Sequence, residues 1–69
     1  MVKLFCVNNT LKFSVEGGDV RIFLNEHEED RLTVRNSSLG AILHMVVDRC
    51  VDGGLIGREE GEQFITDNI

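Results

Sequence analysis

The sequence predicts an α+β fold, a four-stranded antiparallel β-meander packed by one long apolar helix plus a short C-terminal helix, in the order β-β-β-β-α-α. Three observations carry this expectation. Apolar and polar residues alternate with a period of two in short runs through the first half. The period then becomes helical at Leu39 and runs without a breaker to Gly53-Gly54. A chain of 69 residues has room for one small domain, 1–69, and no second.

Each element follows from its residues. VKLFCV, residues 2–7, is apolar on both faces except at Lys3, so it reads as a buried or interface-facing strand with Cys6 as a small core residue. In TLKFSVE, Leu11, Phe13 and Val15 alternate with Lys12, Ser14 and Glu16; in DVRIFLN, Val20, Ile22 and Leu24 alternate with Arg21, Phe23 and Asn25. In RLTVR, Leu32 and Val34 alternate with Arg31, Thr33 and Arg35. These are half-buried antiparallel strands by pattern. Asn8-Asn9 and Gly17-Gly18 tolerate positive φ and fit two-residue hairpin loops of the primed types. NEHEED, between Leu24 and Leu32, reads as a six-residue charged loop. Consecutive strands joined by short connections make an up-and-down meander.

At Asn36-Ser37-Ser38 a serine oxygen is expected to accept from the free N–H groups of a first helical turn. LGAILHMVVDRCVD then carries polar residues only in a narrow stripe of Gly40, His44, Asp48 and Asp52, with Arg49 at its edge. Such a helix is too apolar to bury only one face. REEGEQFITDN reads as the second helix, its Glu59, Glu60 and Glu62 placed where the dipole favours negative charge. If Leu4 and Cys6 point towards the helix side, Phe5, Val7 and Phe23 emerge together on the opposite face. That patch is then either a partner surface or covered by the terminal helix through Phe64 and Ile65. With the small size, these features favour a homodimer.

Charge narrows the partners. The net charge is −5, distributed as five basic and six acidic residues over 1–35 and two basic and six acidic over 36–69. There is no basic patch to neutralise phosphates and no Trp or Tyr to stack on bases, so direct nucleic-acid binding is not expected. No uninterrupted apolar run reaches the ~20 residues of a membrane span. MVKLFCVNN shows no targeting pattern. The expectation is therefore a cytoplasmic protein whose two cysteines, Cys6 and Cys50, stay reduced. In that compartment the sequons at Asn8 and Asn36 stay unmodified.

From Asp48, DRCVDGGLIGRE places Asp48, Asp52, Gly53 and Glu59 in register with the first, fifth, sixth and twelfth positions of a calcium loop, and Leu55 at its apolar eighth. Over these twelve residues the segment resembles an EF-hand loop. It departs at the third position, where Cys50 offers a soft sulfur to a hard cation, and at the ninth, where Ile56 replaces a polar residue. The resemblance implies Ca2+ ligation by Asp48, Asp52 and Glu59. The simpler reading is a glycine corner between two helices. His27 among Glu26, Glu28, Glu29 and Asp30 lacks the convergent imidazoles or thiolates that zinc prefers. Cys50 and His44 are separated by about 600° around one helix and cannot form a nucleophile–base pair. No glycine-rich phosphate loop leads from a strand into a helix.

The resulting expectation is a non-enzymatic protein-interaction module, a small acidic regulator or inhibitor of phage or mobile-element type by size and charge. It would use no cofactor and dock a basic protein surface through Glu26, Glu28, Glu29 and Asp30 on the hairpin tip, Glu59, Glu60 and Glu62 near the C-terminus, and the apolar Phe5 and Phe23. The alternatives are a calcium-responsive helix–loop–helix protein and a purely structural homo-oligomeric subunit.

Overall fold

Period-two alternation needs a partner strand before it defines a face, and the strand registers supply it. A computed structural model describes residues 2–69. The elements are β1 (Val2–Cys6), β2 (Leu11–Glu16), β3 (Asp19–Leu24), β4 (His27–Thr33), α1 (Leu39–Asp52) and α2 (Arg58–Asn68). The chain falls into two compact units, one ending at Asn36 and the other beginning at Ser37. The first is an open four-stranded sheet in the order β1-β2-β3-β4, with every neighbouring pair antiparallel. The second is a helical hairpin. The α+β order is therefore as the sequence predicts.

Directly opposed residues on neighbouring strands share a face. One face carries the rows Phe5, Phe13, Ile22, Asp30 and Lys3, Val15, Val20, Leu32. Leu11, Phe13, Val20 and Ile22 on it are fully buried, each stabilising the fold by about 1.5–3 kcal/mol. The other face carries Val2, Glu16, Asp19, Thr33; then Leu4, Ser14, Arg21, Arg31; then Cys6, Lys12, Phe23, Glu28.

The turns differ from expectation in two places. Asn8-Asn9 is not a two-residue primed turn. β1 ends at Cys6, and a four-residue loop follows, organised by the Asn8 carboxamide. Asn8 Oδ1 accepts from the backbone N–H groups of Thr10 (2.9 Å) and Leu11 (2.8 Å), a side-chain-built turn. The charged NEHEED segment is likewise not a six-residue loop. Asn25 and Glu26 alone form the turn, with φ of 52° and 69°, and His27–Asp30 lie in β4. An edge strand with one free side does not need the apolar alternation by which strands are recognised, because its ladder bonds are backbone bonds. At Gly17-Gly18 the two-residue turn is as expected, with positive φ at Gly17.

In the second unit both helices coincide with the predicted runs. Ser38 Oγ accepts from the Ala41 N–H at 3.3 Å. At the other end of α1, Gly54 (φ 73°) donates to the Val51 carbonyl and Leu55 to that of Cys50, the paired bonds of a Schellman stop. Ile42, Leu43, Val46, Val47 and Cys50 form the buried stripe of α1, while Leu39, Ala41 and Met45 are exposed. α2 buries Gly61, Phe64 and Ile65. Gly61 is where the helices approach most tightly: a Cβ there would lie 2.5 Å from Val47 Cγ1.

Candidate functional site

The acidic residues of the β3–β4 hairpin do not make one tip. Glu26 occupies the turn, and the strands continue past it. The β3–β4 register passes from Ile22 opposite Asp30 to Phe23 opposite Glu28, which makes Glu29 the additional residue of a β-bulge. The bulge separates the charges: Asp30 falls in the row of Phe13 and Ile22, and Glu28 in the row of Phe23 and Lys12. Arg21 and Arg31 sit directly opposite each other across β3 and β4, an unfavourable pairing of like charges. Glu28 Oε1 offsets it, lying 3.8 Å from Arg21 Nε and 3.9 Å from Arg31 Nη2. Asp30 Oδ1 accepts from the Arg31 N–H at 2.8 Å. Glu28 and Asp30 are thus engaged within the hairpin, and Glu26 and Glu29 are exposed on it.

Phe5 and Phe23 do not share a patch. Phe5 stacks on Phe13, ring centroids 4.9 Å apart and 15° from parallel, on the face of the fully buried residues. Phe23 lies on the opposite face. The condition that Leu4 and Cys6 point inward fails, because β1 pairs with β2 in the register that puts Phe5 beside Phe13. Cys6 is correspondingly exposed rather than a core residue, and Leu4 and Val2 are 65% and 56% exposed. Next to them, Val2, Ser14, Glu16, Asp19 and Arg21 line a shallow depression of about 120 Å³.

The calcium-like segment is divided between elements. Asp48, Cys50 and Asp52 stand on the last turns of α1, and Glu59 is in the first turn of α2. Cys50 is buried while Asp48 and Asp52 are exposed, so the third-position sulfur points away from both carboxylates. Asp48 Oδ1 lies 3.7 Å from Arg58 Nη1. Among the described residues no three His, Cys, Asp or Glu side chains gather to hold a metal ion.

The acids of α2 are the ones that share a side. Gly61, Phe64 and Ile65 define its buried stripe. On a 3.6-residue turn, Glu59 and Gln63 lie opposite that stripe, Glu62 and Asp67 stand to either side of them, and Glu60 is beside Asp67. All are exposed. Gln63 Nε2 donates to Asp67 Oδ1 at 2.8 Å, holding that carboxylate in place. Asp67 extends the site beyond the residues the sequence singles out; the spacing of eight from Glu59 is the signal that points to it. No helix among the described residues is long and apolar enough to cross a membrane. The chain matches no protein-family model, no curated protein and no solved structure.

Proposed function

We propose that the protein is a non-enzymatic interaction module that docks a basic protein surface through the outward face of α2. One observation supports this reading above the others: the acidic face runs the whole length of the helix. Acids in the first turn, Glu59 and Glu60, complement the helix dipole and need no further reason. Asp67 stands in the last turn, where no basic residue is present and negative charge opposes the dipole. A local rule broken on an exposed surface fits a role in recognition. Glu59, Glu62 and Asp67 would steer a basic partner and set its orientation, with Glu60 at the rim. Glu26 and Glu29 make a second, smaller acidic site on the hairpin.

An arginine-rich peptide serves as the probe. Its amide shift map should centre on Glu59–Asp67. Affinity should fall with added salt, because exposed charges more than ~8–10 Å apart are screened at physiological ionic strength. Replacing Glu59 and Glu62 by Gln and Asp67 by Asn should remove binding, whereas Glu26→Gln with Glu29→Gln should leave most of it. Shifts confined to β3 and β4, or affinity indifferent to salt, would reject the reading.

A further inference from the structure

The two edges of the sheet are built differently. β4 carries charged side chains along HEEDRLT and a bulge at Glu29, the devices by which an edge avoids pairing with another strand. β1 has an unbroken register, one charged residue (Lys3) and exposed Val2, Leu4 and Cys6. Its backbone direction follows from one hydrogen bond. The Val7 N–H donates to the Leu11 carbonyl at 2.9 Å, so the polar groups of Val7 point towards β2. Antiparallel ladders alternate residue by residue. Phe5 and Lys3 therefore also address β2, while Val2, Leu4 and Cys6 turn their N–H and C=O groups to the open side.

We propose that the β1 edge is an interface with a second copy of this chain, paired antiparallel about a two-fold axis at Leu4. The second copy is indicated by self-complementarity. Ladder bonds form only in registers that oppose outward-pointing residues to one another. An axis at Lys3 does so but sets two ammonium groups face to face. An axis at Phe5 pushes Val2 against Asn8, whose carboxamide is committed to its own loop. The axis at Leu4 opposes Leu4 to Leu4 and Val2 to Cys6, giving every outward-pointing residue of β1 a ladder partner. Val2, Leu4 and Cys6 of both copies then form one apolar strip. On the other face, Lys3 meets Phe5 of the second copy, a cation–ring pairing whose intrachain counterpart already exists, with Lys3 Nζ 5.9 Å from the Phe5 centroid. No like charges oppose. This interface uses none of the residues assigned to the acidic face of α2.

Sedimentation of the full chain at micromolar concentration should give twice the chain mass. Leu4→Lys places a charge opposite itself on the axis and should weaken self-association roughly tenfold or more. Its circular dichroism should stay unchanged, because Leu4 is largely exposed. Leu4→Cys in a Cys6→Ser background should oxidise to a covalent dimer, since opposed Cα atoms in a hydrogen-bonded pair lie about 5.5 Å apart, within disulfide reach. Thr33→Cys on the β4 edge, in the same background, should not. A wild-type monomer overturns the proposal and leaves the edge to a strand of another protein. A dimer that Leu4→Lys leaves intact, with no Leu4→Cys cross-link, overturns it by placing the second copy elsewhere.

Discussion

Glu26 is held at φ 69°, next to Asn25 at 52°. Asn visits this region with little strain, but a glutamate there brings its Cβ against its own carbonyl at a cost of about 1–2 kcal/mol. Glu26→Gly should therefore raise stability by about 0.5–1 kcal/mol, the remainder being lost to the freer unfolded chain. The gain should appear as a higher midpoint in urea with an unchanged slope. Gly61 works in the opposite sense. Ala is normally better than Gly inside a helix by ~1 kcal/mol, yet a methyl group here would press on Val47 at 2.5 Å and Ile56 at 3.2 Å. Overpacking costs about 1–3 kcal/mol, so Gly61→Ala should be neutral to destabilising by about 2 kcal/mol. Val47→Ala should then be less damaging in that background than alone, a coupling that a double-mutant cycle measures.

At the scale of elements, α1 is bounded by side-chain and backbone chemistry at both ends. Ser38→Ala removes the oxygen that accepts from Ala41 and should cost about 1 kcal/mol, read by thermal or denaturant unfolding. At the C-terminal end, the bonds from Gly54 and Leu55 to Val51 and Cys50 close the helix. Asp48 and Asp52 are helical residues on the exposed side, and Arg58 lies beside Asp48. Millimolar calcium should accordingly leave the amide resonances of Asp52–Glu59 in place. Shifts confined to that segment would support the calcium reading.

For the whole molecule, charge separates the two proposed associations. The chain from Ser37 onward holds two basic and six acidic residues, against five and six before it. Binding of a basic partner should weaken as ionic strength rises. Pairing at β1 brings no opposite charges together and joins two copies that each carry −5. Salt should relieve their mutual repulsion, leaving self-association constant or strengthening it. Sedimentation across a salt series, run beside the peptide titration, should show the two trends diverging. Parallel loss of both would mean that self-association is also electrostatic.

The sequence by itself determined the element order, both helices and their Gly53-Gly54 stop, because helical period, an N-terminal serine and a glycine pair are local signals. It determined β2 and β3 by alternation and β1 by its continuous apolar run, and misplaced the start of β4, since HEED has no apolar period and Asn-Glu is not a recognised turn pair. Residues 27–30 became a strand only through their backbone pairing to β3. Face assignment also lay beyond the sequence for β1. VKLFC is apolar in both phases, and a one-residue change of register exchanges Phe5 with Leu4 and Cys6. The pairing of Phe5 with Phe13 decided that phase. It thereby turned Leu4 and Cys6 outward and separated Phe5 from Phe23. The acids were all visible as residues, and the helical period already gathers those of α2; which of the hairpin acids are engaged, as Glu28 is between two arginines, depended on distances that exist only in the folded chain.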